Sequence, residues 1–271
     1  MLPLRAPEPA WKPVLRGLQG GAAGAESRVG LAPVLEARGL VRRYGPIHAV
    51  NQISFGLEEG ELLTVFGPNG AGKTTLLGML AGSFRPHAGE IRLRGEPRDA
   101  AATDWRREIG LLSHQTFLYG ALTARENLTF FGKLYDLQDL GDRVDTRLEQ
   151  VGLRGEADRR VHGFSRGMRQ RLALARTLLH DPSLVLLDEP FTGLDVHASA
   201  LLREVLGQLK DGRRTVVLVT HNLIEGLQLA DRVAIQVEGR FAFLGARHEI
   251  PGGSEEAFYR RWVDGGGRAT A

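Results

Sequence analysis

The sequence predicts an α/β fold built on a parallel sheet buried on both faces. Three observations carry that prediction. The runs Ile109–Leu112, Leu184–Leu187 and Thr215–Thr220 are short, continuous and apolar, without the polar alternation of a solvated strand. Stretches with helical spacing, notably Arg169–Leu179 and His197–Leu209, separate them. A further apolar run, Glu61-Leu-Leu-Thr-Val-Phe66, stops at a glycine turn, and a helix-like segment, Thr74–Leu80, follows at once.

Residues 1–33 differ from everything after them. Pro3, Pro7, Pro9 and Pro13 crowd together ahead of Gly20, Gly21, Ala22, Ala23 and Gly24, a composition that predicts a flexible leader. The leader has no apolar core of about 7–15 residues, so it does not read as a secretory signal. It carries Arg5, Arg16 and Arg28 but also Glu8 and Glu26, which argues against a transit peptide. From Val34 the pattern turns regular, with β-rich runs at Val34–Val41 and Val50–Phe55. Residues Phe117 to His162 have helical periodicity and little strand character, and predict a helical insertion. Asp231–Gly245 predicts a terminal hairpin turning at Glu238-Gly239. Beyond Pro251 the chain is again glycine-rich and polar, and 253–271 reads as a tail.

Composition removes several function classes. With 271 residues, 42% hydrophobic and 25% charged, the chain can bury a sizeable core, which excludes wholesale disorder and fibrous folds. It has 0 Cys, so disulfides, thiolate metal sites and a cysteine nucleophile are out. The apolar runs fall far short of the roughly 20 residues of a membrane span. The net charge is +3, and acidic residues are interspersed with the basic ones rather than set apart from a basic tract. A nucleic-acid protein would more often concentrate its basic residues into a tract; the charge balance alone picks no partner, and no nucleic acid is expected among the partners.

Gly67-Pro68-Asn69-Gly70-Ala71-Gly72-Lys73-Thr74 fits the spacing G-x-x-x-x-G-K-[ST], and Thr75 follows. Its glycines let successive backbone N–H groups point inward, and the positive end of the following helix adds to that anion cradle. Lys73 is placed to reach the outer phosphates of a nucleotide, and Thr74 to put its hydroxyl on Mg²⁺. In open α/β sheets ligands sit beyond the carboxyl ends of the strands. Three other strand ends carry polar groups. Leu184–Leu187 runs into Asp188, suited to Mg²⁺, and Glu189, suited to polarising an attacking water. Thr215–Thr220 runs into His221. Ile109–Leu112 leads to Gln115, which could touch the metal or the water, and to His114, which has an equal claim by position.

Together with these groups, Phe164-Ser165-Arg166-Gly167-Met168-Arg169-Gln170-Arg171 resembles the signature sequence of ATP-binding-cassette (ABC) ATPases. Phe191-Thr-Gly-Leu194-Asp195 resembles that family's D-loop, and Thr220-His221 its switch histidine. The motifs stand in family order from about Val34 to Gly252. The resemblance implies a P-loop NTPase core over 34–252, with an N-terminal antiparallel β subdomain and an α-helical subdomain over about 116–170. It implies ATP and Mg²⁺ as cofactors, with Tyr44 stacking on adenine and Gln115 at the metal. It also implies a head-to-tail dimer in which Ser165 and the Gly167 backbone of one copy, near its Asp195, face the ATP held by the other. Closure of that dimer would order the water held by Glu189.

Partners follow from the same source. A cassette without spans implies membrane-spanning permease subunits, docked beside Gln115–Gly120, at the cytoplasmic face of a bacterial inner membrane. Ser113–Leu128, Asp188–Asp195 and the Ser-Arg-Gly-Met form resemble the ATPase subunit of the cytochrome c maturation haem exporter, although antibiotic, polysaccharide and lipid exporters share much of this. Nothing in the chain is arranged to bind haem directly: C-x-x-C-H is missing, and His162, His180 and His197 lack ligand spacing. A soluble cassette for DNA repair or translation fits less well, since there is neither a second cassette nor a long heptad insertion. One departure stands out: the commonest signature reads Ser-Gly-Gly-Gln, and here Arg166 and Met168 replace the first glycine and the glutamine.

Overall fold

The structure is a computed structural model that describes residues 33–98 and 104–265. Except for Pro33, the leader lies outside the described residues, as do 266–271 of the tail.

Strands β1 (Leu35–Tyr44) and β2 (Ile47–Leu57) form an antiparallel hairpin, and β3 (Leu62–Phe66) leads into helix α1 (Lys73–Leu80). Strands β4 (Ala88–Leu93) and β5 (Glu96–Pro97) return to β1, so the first sheet has the order β2-β1-β4-β5. The short α2 (Asp104–Arg107) precedes β6 (Ile109–Leu112). Helices α3 (Ala124–Leu134) and α4 (Leu140–Gln150) make up the insertion, and α5 (Arg166–Leu178) brings the chain back to β7 (Leu184–Asp188). Then come α6 (Val196–Gln208), β8 (Thr215–Val219), α7 (Leu223–Leu229), the hairpin β9 (Arg232–Val237) and β10 (Arg240–Ala246), and α8 (Glu255–Asp264).

The second sheet has the order β10-β9-β3-β8-β7-β6, parallel except for β10. Every residue of β3, β7 and β8 is buried. Successive side chains of a strand point to opposite faces. Accordingly Leu184 and Leu186 join the core shared with α1 and the first sheet, while Val185 and Leu187 join the core under α5 and α6. Burial on both faces is why these runs are uniformly apolar, each side chain contributing about 1.5–3 kcal/mol relative to exposure. This order sets the carboxyl ends of β3, β8, β7 and β6 side by side.

The insertion has its own core, in which Leu128 of α3 and Val144 and Leu148 of α4 meet Leu172, Ala175 and Leu179 from the α5 segment. The other face of α5, through Ala173, Leu174 and Leu178, packs on the sheet. Helix α5 therefore belongs to both lobes. The insertion starts at a capping box: Glu126 N–H donates to the Thr123 hydroxyl at 3.1 Å, and Thr123 N–H to the Glu126 carboxylate at 2.8 Å.

Within the expected polar tail, Glu255–Asp264 forms a helix. In α8, Phe258, Tyr259, Trp262 and Val263 pack against the cluster around Ile235 and Phe243, with Phe258 and Phe243 edge to face at 5.1 Å. Their spacing is helical, and the surrounding charged residues hide it in a composition reading.

Candidate active site

The phosphate loop spans the exit of β3 and the start of α1. Gly72 caps α1 at φ 98°, a left-handed conformation natural to glycine. A Cβ there would collide with the Ala49 carbonyl oxygen of β2. The loop also rests on the β9–β10 hairpin: the Ala71 carbonyl accepts from Gln236 Nε2 at 2.9 Å and from Gly239 N–H at 3.1 Å. Gly72→Ala is expected to distort the cradle and abolish ATP binding with the fold retained, as read by nucleotide titration and circular dichroism. Wild-type affinity in the variant would show that the loop tolerates the displacement.

Lys73 is buried, and its ammonium donates to the Gly67 and Pro68 carbonyls at 2.7 and 2.9 Å. Burial pulls its pKa below the usual lysine range, against the opposing pull of the Glu189 and Asp188 carboxylates. Those carbonyl contacts are ones a phosphate would replace.

Asp188 ends β7 and is buried, accepting from the Thr74 hydroxyl at 3.3 Å. Burial raises its pKa, and the Thr74 hydrogen bond offsets that only in part. Register explains the neighbouring pair. Asp188 lies opposite Val219 on β8, so Glu189 falls beside Thr220 and His221. Glu189 sits at φ 51°, strained for a residue with a side chain, and its N–H bonds the Val219 carbonyl at 2.8 Å. Three donors orient its carboxylate: His221 Nδ1 at 2.9 Å on one oxygen, and the Thr220 and Thr192 hydroxyls at 3.2 and 3.4 Å on the other.

Lys73, Thr74, Asp188 and Glu189 meet at a pocket of about 270 Å³ lined also by Tyr44, Ala49, Asn69–Ala71, Gly72, Thr75 and His114, which His221 joins only through its contact with Glu189. Tyr44 is half exposed, with the Arg42 guanidinium 5.2 Å from its ring centre. Of the two candidates after β6, both exposed, His114 lines the pocket and Gln115 is not among the lining residues. Chain spacing carried no sign of which side chain turns inward. Ser165, Gly167 and Asp195 do not line the pocket of their own chain. Ser165 is exposed at the start of α5, where its hydroxyl accepts from Met168 N–H at 3.2 Å. Asp195 caps α6, accepting from Ala198 N–H at 2.8 Å. A larger groove of about 790 Å³ between α7 and α8 touches only His221 among these residues.

The donors suit a hard divalent cation: the Thr74 hydroxyl and Asp188 carboxylate are both oxygens, and the buried Asp188 charge calls for a positive partner. An inward-facing loop, a lysine and a carboxylate positioned by three donors form the parts of a phosphoanhydride hydrolase.

Residues 50–192 match the ABC transporter family. The chain belongs to that family. It is 39% identical over 207 residues to the ABC transporter ATP-binding protein NatA of Bacillus subtilis (strain 168), covering 75% of this chain and 84% of the relative. It is 40% identical over 222 residues to the Nod factor export ATP-binding protein I of Burkholderia orbicola (strain AU 1054), covering 81% and 73%. Among solved structures, cbiO1 of Clostridium perfringens, part of the ABC transporter complex cbiONQ, superposes with TM-score 0.75 at 26% identity, covering 84% of this chain and 94% of that one. The ATP-binding cassette MJ0796, a dimer bound to ADP and Pi, shares the fold with TM-score 0.72 at 24% identity, covering 79% and 98%.

This ABC transporter subunit therefore binds ATP and hydrolyses it in a reaction coupled to transport. Among the described residues, no helix is long and apolar enough to cross a membrane. At the altered signature position, the Arg166 side chain lies against Gly193 of the D-loop, where a Cβ would meet its guanidinium.

Proposed function

We propose that this chain is the ATPase subunit of a bacterial exporter and works as a head-to-tail pair. The observation that carries the reading is the division of the site. The pocket gathers Lys73, Thr74, Asp188 and Glu189, while Ser165 at the N-terminus of α5 stays exposed and away from it. At about 270 Å³ the pocket is at the small end for a nucleotide site, as expected of one half of an enclosure. The Ser165–Gly167 turn of a second copy supplies the other half, with the helix N-terminus favouring the terminal phosphate.

Each residue then has one task. Lys73 exchanges its loop carbonyls for phosphate oxygens. Thr74 and Asp188 hold Mg²⁺, which supplies neutralising charge on the phosphates when bound. Glu189 takes the proton of the attacking water on a carboxylate oxygen, in the orientation fixed by His221, Thr220 and Thr192. Tyr44 offers its ring to the base. At the end of β6 the resemblance gives the metal or water contact to Gln115, and the lining of the pocket by His114 supports this neighbour as a second candidate for it.

The subunit acts on a membrane-spanning permease, peripherally at the cytoplasmic face of the inner membrane. Phe117 and Tyr119, three and five residues beyond the pocket residue His114, are exposed, 55% and 49%, and support this edge of the insertion as the docking face. For the cargo, similarity to a Nod factor exporter favours a substrate other than haem. Haem export rests on the resemblance of Ser113–Leu128 and Asp188–Asp195. The test is co-purification with the permease. Phe117→Ser combined with Tyr119→Ser is expected to release the permease and leave ATP binding by the chain intact. Undiminished co-purification would refute this docking face.

A further inference from the structure

Arg176 near the end of helix α5 and His180 in the turn that follows it hold the edge of the sheet and the insertion together, and both make the same kind of double contact. Arg176 donates to the Leu111 carbonyl at 3.1 Å and stands over the rings of Phe131 and Phe117 at 5.1 and 5.8 Å. His180 places Nε2 3.0 Å from the Ile109 carbonyl, and its ring stacks on Tyr135 at 4.0 Å and 4°. A carbonyl only accepts, so Nε2 carries the proton. The two carbonyls are two residues apart on β6, the edge strand, and so point the same way. The other side of the strand serves β7, whose Leu184 N–H bonds the carbonyl of Glu108, just ahead of Ile109, at 2.9 Å. Phe131 and Tyr135 are four apart at the end of α3 and share one face. The result is a two-rung ladder across β6, α5 and α3.

The ladder is poorly optimised for stability alone. Arg176 Nε and His180 Nδ1 are buried with no hydrogen-bond partner among the described residues.

Its position supplies the reason. Past the ladder β6 runs on to His114 in the nucleotide pocket. Three residues later Phe117, the second ring over Arg176, is exposed and held at φ 55°, a strained backbone for an aromatic residue. Tyr119 is fixed from the other side by Asn127, a fully buried amide: Tyr119 N–H donates to it at 2.8 Å, and its Nδ2 donates to the Tyr119 and Thr123 carbonyls at 3.0 and 2.8 Å. The segment between the pocket and the exposed aromatic face is thus clamped at Asn127 and gripped in its middle by Arg176.

We propose that Arg176 is a positioning residue that links the nucleotide pocket to the Phe117–Tyr119 face, so that ATP occupancy is transmitted to that face through the α5 ladder. The proposal rests on the reading of that face as the permease dock, and it adds the element that connects the dock to ATP. A spatial chain of contacts becomes a coupling only when both ends are shown to bias it.

Hydrogen–deuterium exchange of the full chain tests this without the permease, in a Glu189→Gln background with Mg²⁺ and ATP. ATP is expected to shift exchange across residues 117–135 by at least about fivefold, the low end of common site-to-site couplings. Arg176→Gln should abolish the shift and Arg176→Lys, which keeps the charge without the planar fork, should weaken it. ATP affinity should stay within about twofold in both, since neither contacts the nucleotide. Thermal melts report folding. Should the Arg176 variants unfold, Phe117→Leu, which removes the ring from the exposed end and leaves α5 intact, must lose the shift instead. A full shift in folded Arg176→Gln, or no ATP-dependent shift with Arg176 present, overturns the proposal. Failure of the permease to dock with the shift intact would refute the docking reading alone.

Discussion

Glu189→Gln is expected to lower ATP turnover of the assembled transporter by about 10²–10⁴-fold while leaving ATP affinity nearly unchanged. The amide is nearly isosteric, so the Thr220 and Thr192 hydroxyls and His221 still find acceptor or donor partners around it. What it loses is the capacity to take a proton from water. Binding persists because the loop, Lys73 and Thr74 supply the phosphate contacts. Nucleotide then stays at the interface, and the ATP-bound pair should accumulate in gel filtration. Turnover within a few-fold of wild type would remove Glu189 from the role of base, with His221 next in line by its 2.9 Å contact.

Lys73→Ala should fail at an earlier step. Among the described residues, its ammonium is the only basic side chain lining the pocket besides His114, and it sits in a buried, low-dielectric setting where a charge acts strongly on a phosphate. Hydrolysis is expected to fall by about 10²–10³-fold, the usual cost of removing one such stabilising group. The two variants should separate in binding: ATP affinity drops in Lys73→Ala and persists in Glu189→Gln. Dimer accumulation should follow the same division. Loss of turnover in Lys73→Ala with wild-type affinity would mean that the lysine acts in the transition state alone.

The site was legible where it is local or where strand order brings it together. The phosphate loop is a contiguous pattern whose spacing encodes its own geometry. Asp188, Glu189 and His221 were readable as strand-end polar groups because β7 and β8 are uniformly apolar until they reach the pocket edge. The hairpin turn at Glu238-Gly239 falls between β9 and β10 as predicted. Other features had no comparable signal. Strand β4 alternates half-buried Glu90 and Arg92 with buried Ile91 and Leu93, a period-2 signal only four residues long, and the two-residue β5 is too short to show any. The choice between His114 and Gln115 depends on which way the chain turns after β6, and both residue types suit the chemistry. The Arg176 ladder depends on two carbonyls at an open sheet edge, and carbonyls are the same in every sequence. Helix α5 reads as a simple core helix, although it serves two cores through opposite faces.

The central claim is that each ATP is enclosed by the pocket of one copy and the Ser165 turn of another. Because the chain has 0 Cys, cross-linking tests it cleanly. Two singly substituted chains, Asn69→Cys and Arg166→Cys, are mixed in the Glu189→Gln background and treated with a short bis-maleimide. The account predicts a 69-to-166 cross-link between chains that forms with Mg²⁺ and ATP and fades without nucleotide. A yield indifferent to ATP, or cross-links only between like positions, would contradict it.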